Sequence, residues 1–385
     1  GTTTFAGILI WFWKTFPLDW VGIDNVALSL ILIIVFWIVA SVTLGLFLGG
    51  WLALYKKYSS TNNYNFLLAP TLWVICEFAR ALFFSIVVLG QESVIAPFWT
   101  FGFLGYSLSW SKLFIFFAPI GGVYLLSFLG VLFGYLLFIY FKYLYQSPKI
   151  QFIRIIVVVV ALIAIVGTNF IPDNSLKKET DVNKSFSATL ISTNFPSFFS
   201  ENLLSVSEKA ATTKKLLVEA SKLNPDLIIL PEGSRALEYI GTSTINSILK
   251  NNTRQTLLID SSSIEVNSEK KERLFLYNVN SKKLEFRDKY FLMPFGEYLP
   301  NFISASFGLF DSKDWISLFN ENRAFSRGEL NRPFQHDSQS IGVLFCSEIL
   351  PEFIYRDLAK SGANIFINVS SQAIFHQSDI LANQT

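Results

Sequence analysis

The amino-acid sequence predicts a helical membrane portion followed by a layered α/β domain, on two observations. Long apolar runs without charge are concentrated between residues 26 and 171, and a membrane-spanning helix needs about 20 apolar residues. Residues 172–385 instead alternate short apolar segments with amphipathic ones, which is the pattern of buried strands with intervening helices. The charged fraction is 16%, against about 25% in soluble proteins, because the first portion holds few charges.

Five apolar stretches within residues 1–171 are candidates for membrane spans. The second and fourth contain no charge, the third is interrupted by Glu77 and Arg80, and the first and last are short. Charge-free runs this long and numerous do not occur in the core of a soluble protein. We interpret the first stretch, which contains Lys14, as the remnant of a longer span. The predicted spans are residues 5–16, 26–55, 64–90, 113–141 and 155–171.

The charges of the loops predict the orientation of these spans, because cytoplasmic loops carry an excess of Lys and Arg. Lys56 and Lys57 follow the second stretch. Lys142 and Lys149 lie before the last one. Both loops are therefore expected in the cytoplasm, and the last stretch leads outward. Residues 172–385 are expected outside the cytoplasm, on the periplasmic face where the cell has an outer membrane.

Glu77 and Arg80 lie three residues apart in the third stretch and therefore share a helix face. Ionisable residues inside a membrane are costly and usually face the interior of a helical bundle. Two interpretations remain open. The residues form a mutual ion pair that holds the bundle together, or they act directly near a lipid headgroup.

The second portion begins with a polar segment, residues 172–186, that we interpret as a linker. A domain of alternating strands and helices follows at residues 187–385. Apolar runs bounded by polar residues predict its strands, and apolar residues at helical spacing predict its helices. The predicted strands are residues 187–193, 226–230, 255–260, 341–345 and 364–369, with a hairpin at 274–286 around Asn280-Ser281, and the predicted helices are residues 202–223 and 352–360.

The composition argues against binding of nucleic acid or a metal ion. The net charge is only +2, and no cluster of Lys and Arg resembles a stripe that follows phosphates. The two histidines, His336 and His376, are not part of a Cys/His cluster with the spacing of a zinc site. The two cysteines, Cys76 and Cys346, lie in different portions of the chain, so no disulfide is expected between them.

Three polar side chains, Glu232, Lys289 and Cys346, stand where predicted buried strands end. In open α/β sheets, catalytic groups gather at the carboxyl ends of the strands. A carboxylate can take a proton from a thiol, and an ammonium group favours the thiolate and stabilises an oxyanion. From spacing alone, a core thiol, a carboxylate at a helix N-terminus and a surface lysine remain open alternatives.

The local sequences around these residues resemble three motifs of the apolipoprotein N-acyltransferases, a family of the nitrilase superfamily. The motifs are Leu-Pro-Glu at 230–232, Asp-Lys-Tyr-Phe-Leu-Met-Pro-Phe-Gly-Glu-Tyr-Leu-Pro at 288–300 and Phe-Cys-Ser-Glu at 345–348. Their order and spacing also match, and the middle motif is the most specific. In the membrane portion, Glu-Phe-Ala-Arg at 77–80 and Ala-Pro-Ile-Gly-Gly-Val at 118–123 resemble further segments of the family.

The resemblance implies an α-β-β-α sandwich for the second portion and assigns roles to its polar residues. Glu232 would be the general base, Lys289 the lysine that stabilises the oxyanion, and Cys346 the nucleophile. Glu297 matches a second family carboxylate and is expected to hold Lys289 in place. Glu348 matches a carboxylate that closely follows the nucleophile.

The resemblance also implies an N-acyltransferase of the bacterial inner membrane that acts in lipoprotein maturation. An acyl chain of a membrane phospholipid would pass to Cys346 as a thioester. It would then pass to the α-amino group of the diacylglyceryl-cysteine at the N-terminus of an apolipoprotein. This ping-pong reaction requires no metal and no cofactor. Both lipid substrates would reach a site held just above the bilayer.

Residues 301–325 lie between the lysine and cysteine motifs and are rich in aromatic and apolar side chains. We predict that they form a mobile lid that dips toward the acyl chains, with Phe307, Phe310 and Trp315 as its lipid contacts. A loop that packs around a small core of its own is the alternative.

Several positions depart from the family pattern. Ser347 stands where an aromatic residue is common, and Ser-Gln-Ala-Ile-Phe-His at 371–376 replaces the usual Asn-Asp-Ala-Trp-Phe-Gly. The chain begins at Gly1 and ends before the family's last strands and closing helix, so we expect it to be truncated at both ends. Two other functions stay open: a membrane-tethered nitrilase-like amidase with water as acceptor, and a catalytically impaired relative that binds lipid or lipoprotein.

Overall fold

The protein is described here from a computed structural model, which covers residues 1–59, 65–146, 186–195, 205–252, 254–309, 313–330, 332–336 and 339–375. The chain divides into two compact units. The first consists of Gly1–Leu9, Phe36–Phe84 and Trp99–Val182, and the second of Ile10–Val35, Ser85–Phe98 and Asn183–Thr385. The second unit therefore combines the α/β portion with two short segments from the N-terminal portion. The predicted span 155–171 and all but the last residue of the predicted linker lie outside the described residues.

Among the described residues, three helices are long and apolar enough to cross a membrane. They overlap the apolar runs predicted at 26–55, 64–90 and 113–141. In chain order, the helices of the N-terminal portion are α1 at Thr2–Ile8, α2 at Val26–Tyr58, α3 at Asn65–Val87, α4 at Lys112–Ile115 and α5 at Ala118–Gln146. The last of these is broken near its start, where Gly122 has a φ of 59°, a left-handed conformation that favours glycine.

Residues 5–16 are divided between an α-helix and a 3-10 helix. Helix α1 ends at Ile8, and 3-10 helices follow at Ile10–Thr15 and Leu18–Val21. A seven-residue α-helix rises only about 10 Å, a third of the roughly 30 Å of hydrocarbon that a span must cross. That residues 5–16 are the remnant of a longer span stays a prediction.

Glu77 and Arg80 are buried on one face of α3, but the predicted mutual ion pair is not found between these two described side chains. Oε1 of Glu77 accepts hydrogen bonds from Trp73 Nε1 at 2.9 Å and from Leu104 N at 2.8 Å. Nη2 of Arg80 donates to the Phe101 carbonyl at 3.0 Å. Both residues therefore tie α3 to the loop before α4 rather than to each other.

The larger of two sheets in the α/β portion has five strands in the order β1-β2-β3-β4-β5. The first three are parallel, and the last two are antiparallel to their neighbours. The strands are β1 at Ala188–Leu190, β2 at Leu227–Ile229, β3 at Leu257–Val266, β4 at Glu269–Asn278 and β5 at Leu284–Asp288. Parallel pairing brings the carboxyl ends of β1, β2 and β3 to the same edge of the sheet.

The smaller sheet has the order β6-β7-β8, with β6 antiparallel and β8 parallel to the central β7. Its strands are β6 at Phe334–His336, β7 at Gln339–Phe345 and β8 at Ile365–Val369. Strand β6 was not predicted, because three residues carry too little pattern to be detected. The predicted strands at 341–345 and 364–369 overlap β7 and β8.

The α/β portion has four layers. The helices are α6 at Val206–Ser221, α7 at Ala236–Tyr239, α8 at Thr242–Leu249, α9 at Asn301–Leu309, α10 at Lys313–Arg323 and α11 at Glu352–Lys360. Ile228 of β2 packs toward α6 to α8, whereas Leu227 and Ile229 pack against the smaller sheet, as the alternation of a strand requires. Helix α11 covers β7 with Ile354 and Leu358. The predicted fold class, membrane-length helices followed by a helix–sheet–sheet–helix sandwich, is confirmed.

Candidate active site

Glu232 lies in the turn between β2 and α7, and the middle of β3 holds this turn. Gly233 has a φ of 72°, and its N–H donates to Ser261 Oγ at 2.8 Å. The buried carboxylate of Asp260 accepts a hydrogen bond from Leu237 N at 2.7 Å. Because Asp260 and Ser261 belong to a central strand, they fix the backbone that directly follows Glu232.

Lys289 directly follows β5, and both its backbone and its side chain are held. Its N–H donates to the Glu272 carbonyl at 2.8 Å, and its carbonyl accepts from Gly328 N at 2.7 Å. The residue is 1% exposed. Its Nζ lies 3.3 Å from Glu232 Oε1 and 2.5 Å from Glu297 Oε1. The ammonium group is therefore shared between two carboxylates.

Glu297 lies in the turn between Lys289 and α9, and both oxygens of its carboxylate are engaged. One receives the lysine, and the other accepts from Met293 N at 2.6 Å. Its own carbonyl accepts from Phe325 N at 2.9 Å, which ties the turn to the residues after α10. This is the geometry expected of a residue that holds Lys289 in place, and that role stays a prediction.

Cys346 follows β7 with a φ of 51°. A non-glycine residue rarely adopts this left-handed conformation, and such strain is concentrated at functional sites. Glu232 and Lys289 both neighbour the thiol closely enough to influence its pKa, and the ring of the preceding Phe345 lies 5.0 Å from Lys289 Nζ. The three predicted side chains therefore come together at one point of the sandwich.

The residues after Cys346 bind the lysine segment. Glu348 is fully buried, and its carboxylate accepts from Phe345 N at 2.9 Å and from Tyr290 N at 2.7 Å. Ser347, where the family commonly has an aromatic residue, is buried and donates to the Phe291 carbonyl at 2.6 Å. The departure at this position thus keeps a polar tie between the two segments.

Burial and the neighbouring carboxylates set the charge state of the site. Burial lowers the pKa of Lys289, but Glu232 and Glu297 outweigh it and hold that pKa well above its usual value. Burial raises the pKa of the Cys346 thiol well above its usual value; Glu232 adds to this effect and Lys289 opposes it. Burial also raises the pKa of Glu297, against the effect of Lys289. At neutral pH the lysine is charged and the thiol is protonated.

A protonated thiol is a weak nucleophile, so its attack must be coupled to loss of the proton. The carboxylate of Glu232, which neighbours the thiol, is the base that can accept this proton. The ammonium group of Lys289 is the positive charge nearest to an oxyanion formed there. This arrangement suits nucleophilic acyl transfer through a thioester.

Sequence reasoning missed two partners of the site. The N–H of Ser371 donates to Glu232 Oε2 at 3.0 Å, a backbone contact that no side-chain pattern reveals. Glu272 accepts from Ser263 Oγ at 2.5 Å, and burial raises the pKa of Glu272 to about 7, with a further rise from Glu297. Strand alternation offered a signal here, because Glu272 lies two residues before the inward-facing Leu274.

The predicted lid segment forms α9 and α10. Trp315 Nε1 donates to the Val21 carbonyl at 3.1 Å, and Phe319 is buried, so α10 packs against the N-terminal segment of its own unit. Phe310 and His376 lie outside the described residues, as does the side chain of Phe307. The role of this segment as a lid stays a prediction.

The described structure joins a helix–sheet–sheet–helix sandwich to helices of membrane length. Comparison with known proteins gives a more particular likeness. Residues 1–136 match the family model described as apolipoprotein N-acyltransferase N-terminal domain. The resemblance to that family is thereby confirmed for this range. No curated protein matches the chain.

Several solved structures are similar to the chain. A carbon-nitrogen hydrolase from Helicobacter pylori G27 has 12% identity and a TM-score of 0.33, over 48% of this chain and 59% of that one. An amidase from Nesterenkonia sp. has 15% identity and a TM-score of 0.33, over 48% and 64%. A glutamine-dependent NAD+ synthetase from Acinetobacter baumannii has 14% identity and a TM-score of 0.30, over 43% and 30%. The chain thus spans less than two thirds of the length of these proteins.

Proposed function

We propose that this protein transfers an acyl chain from a membrane phospholipid to the α-amino group of a diacylglyceryl-cysteine at the N-terminus of an apolipoprotein. The observation that carries the proposal is the meeting of Glu232, Lys289 and Cys346 in a chain whose described residues include three helices of membrane length. The match of residues 1–136 to the apolipoprotein N-acyltransferases supports it. The protein would act at the bacterial inner membrane, with its α/β portion on the periplasmic face.

In the first half-reaction, Cys346 attacks the ester carbonyl of the phospholipid. Its Sγ–H proton passes to the carboxylate of Glu232 as the S–C bond forms. The carbonyl oxygen becomes an oxyanion beside the ammonium group of Lys289. The ester C–O bond then breaks, the leaving oxygen takes the proton from Glu232, and a lysophospholipid departs. The acyl chain remains on Cys346 as a thioester.

In the second half-reaction, the neutral α-amino group of the acceptor attacks the thioester. Glu232 takes a proton from the amine as the C–N bond forms, and Lys289 again stabilises the oxyanion. The C–S bond breaks, and the proton from Glu232 returns to the thiolate of Cys346. An amide product and the starting enzyme result. Covalent catalysis divides one difficult transfer into two easier steps.

The membrane portion bears on the choice of acceptor. The described residues include three helices of membrane length, and a hydrolase of a small soluble amide has no need of them. The phospholipid donor and the diacylglyceryl acceptor are both lipids anchored in the bilayer, where such helices hold the protein. This argument favours acyl transfer over hydrolysis of a small amide, the reaction of the amidase alternative.

The test is intact-mass measurement of the full chain in vesicles of one defined phosphatidylethanolamine. The variants are Cys346→Ala and the matched control Cys76→Ala, which removes the other of the two cysteines. We expect the parent and Cys76→Ala to gain the mass of one acyl group, which hydroxylamine removes. We expect Cys346→Ala to gain none. A diacylglyceryl-cysteine peptide added afterwards is expected to become N-acylated as the protein returns to its original mass.

Two results count against the proposal. Absence of an acyl adduct in the parent, or an adduct that persists in Cys346→Ala, shows that Cys346 is not the nucleophile of this reaction. An adduct that decays to free fatty acid while the peptide stays unmodified assigns the protein to the hydrolases.

A further inference from the structure

The segments of the nucleophile and the lysine are joined by one buried carboxylate. The two oxygens of Glu348 accept from the N–H of Phe345 and from the N–H of Tyr290. Phe345 directly precedes Cys346, and Tyr290 directly follows Lys289. The distance between the thiol and the ammonium group therefore depends on a carboxylate that holds both N–H groups at once.

Arg287 provides the cation beside this carboxylate. It lies on β5, two residues before Lys289, and its Nη2 is 3.3 Å from Glu348 Oε2. The side chains of Arg287 and Glu348 are 11% and 0% exposed. Burial lowers the pKa of Arg287, and Glu348 opposes this effect. A guanidinium group keeps its charge at neutral pH even when buried.

Burial of Arg287 leaves two of its donor groups without hydrogen bonds among the described residues. Its Nε and Nη1 are buried and have no hydrogen-bond partner among the described residues. Unsatisfied buried donors destabilise a fold, and an apolar side chain on β5 would avoid them. Exceptions of this kind to the rules of packing are expected where function requires the group.

The positive charge of Arg287 matters because Glu348 must accept hydrogen bonds from two backbone N–H groups. A buried carboxylate that loses its cation is left with an uncompensated charge, which is strongly destabilising. The surrounding chain must then move to bring water or another polar group to that charge. Such a movement would loosen one of the two N–H hydrogen bonds, and the segment of Cys346 or that of Lys289 would shift.

We propose that Arg287 is a positioning residue for acyl transfer: its ion pair with Glu348 keeps both carboxylate oxygens bound to the segments of Cys346 and Lys289. This inference rests on the proposed function, since it assigns Arg287 a part in the reaction of Cys346. Arg287 acts through Glu348, and the expected effect is on the rate of the chemical step rather than on binding of the phospholipid.

The test uses Arg287→Met and Arg287→Lys in the full chain with Cys76→Ala, so that Cys346 is the remaining thiol. Intact mass in phosphatidylethanolamine vesicles measures two rates. One is acyl transfer to Cys346, and the other is alkylation of Cys346 by iodoacetamide, which needs no acyl donor. Arg254→Met is the matched control, because Arg254 forms an ion pair with Asp226 at 2.6 Å, at the amino ends of β2 and β3.

We expect Arg287→Met to lower acyl transfer at saturating phospholipid on the order of a hundredfold, with an unchanged KM and slower alkylation. We expect Arg287→Lys, which retains the charge, to restore most of both rates, and Arg254→Met to alter neither. Parental rates in a folded Arg287→Met protein, or an equal loss in Arg287→Lys, would overturn the proposal.

Two further results separate this inference from the proposed function. If the parent forms no acyl adduct, the proposed function fails. Slower alkylation in Arg287→Met that Arg287→Lys restores still supports the positioning role, and an unchanged alkylation rate overturns it. If Arg287→Met does not fold, the double variant Arg287→Met/Glu348→Gln leaves no uncompensated buried charge. Slow acyl transfer together with slow alkylation in the double variant supports the proposal, and parental rates contradict it.

Discussion

Nζ of Lys289 lies 2.5 Å from Oε1 of Glu297, in a site where the lysine is almost fully buried. The second oxygen of Glu297 is bound by Met293 N, so this carboxylate has little room to move. Glu232 is the more distant partner of the ammonium group, at 3.3 Å. We therefore expect Glu297 to anchor Lys289 and to leave Glu232 available for proton exchange with the thiol of Cys346.

Replacement of Glu297 tests whether this carboxylate holds Lys289 in place. Glu297→Gln is expected to slow acylation of Cys346 about 10- to 100-fold, because a neutral amide does not hold the ammonium group in place. Time-resolved intact mass in phosphatidylethanolamine vesicles measures the rate. Glu285→Gln is the control, since Glu285 pairs at 3.0 Å with Lys283, an exposed residue just before β5. A parental rate in Glu297→Gln would remove Glu297 from the site.

Glu272 is expected to make the stability of the fold dependent on pH. Burial, with Glu297 in second place, raises the pKa of Glu272 from 4.5 to about 7 in the folded protein. The stability associated with its protonated form is full below about pH 4.5 and is lost as the pH rises through 7. Glu272→Gln cannot ionise and is expected to be more stable than the parent at pH 8, on the order of 1–3 kcal/mol.

Thermal unfolding of the parent and Glu272→Gln at pH 5 and pH 8 measures this effect. The difference is expected at pH 8 and is expected to be small at pH 5. Glu269→Gln changes an exposed carboxylate of the same strand and is expected to show no such dependence. An equal difference between parent and Glu272→Gln at both pH values would mean that the titration of Glu272 is not its source.

Gly328 allows the chain to pass directly against the lysine segment. A Cβ atom at this position would lie 2.5 Å from the Asp288 carbonyl oxygen, and its N–H donates to the Lys289 carbonyl. Gly328→Ala is expected to displace the end of β5, to destabilise the protein by about 1–3 kcal/mol and to slow acylation. Thermal unfolding and the acylation rate measure the two effects.

The control for this substitution is Gly49→Ala, because a Cβ atom there would meet nothing within 4 Å. We expect no loss of stability or rate in that variant. If Gly328→Ala acylates at the parental rate despite a lower unfolding temperature, the contact with Lys289 serves stability alone.

Asp260 supports the turn that carries Glu232. Burial raises the pKa of Asp260, and its hydrogen bond with Leu237 N opposes that effect. Asp260→Asn replaces one acceptor oxygen with an NH2 group and leaves a buried donor unsatisfied, so we expect a loss of roughly 1–3 kcal/mol. We also expect slower acylation, because the turn loosens. Asp357→Asn on α11 is the control, and unfolding temperatures equal to the parent's in Asp260→Asn would contradict the assignment.

The sequence determined the features that depend on neighbouring residues. Charge-free runs identified the positions of α2, α3 and α5, and short apolar runs placed Glu232, Lys289 and Cys346 at strand ends. The motifs around these three residues predicted a common site before any distance was known. These signals work because hydropathy and turn chemistry act over a few residues. The same locality explains why the apolar composition of residues 5–16 did not show that α1 ends at Ile8.

The tertiary structure decided which distant groups complete the site. Glu348 binds Tyr290, 58 residues away, and the N–H of Ser371 reaches Glu232 across 139 residues. Glu77 and Arg80 likewise took partners in a later loop instead of each other. A helix or strand pattern reports which face is buried, but not what is buried against it. Buried polar groups must find hydrogen-bond partners wherever the folded chain supplies them, and those partners emerge only when the sheets pack.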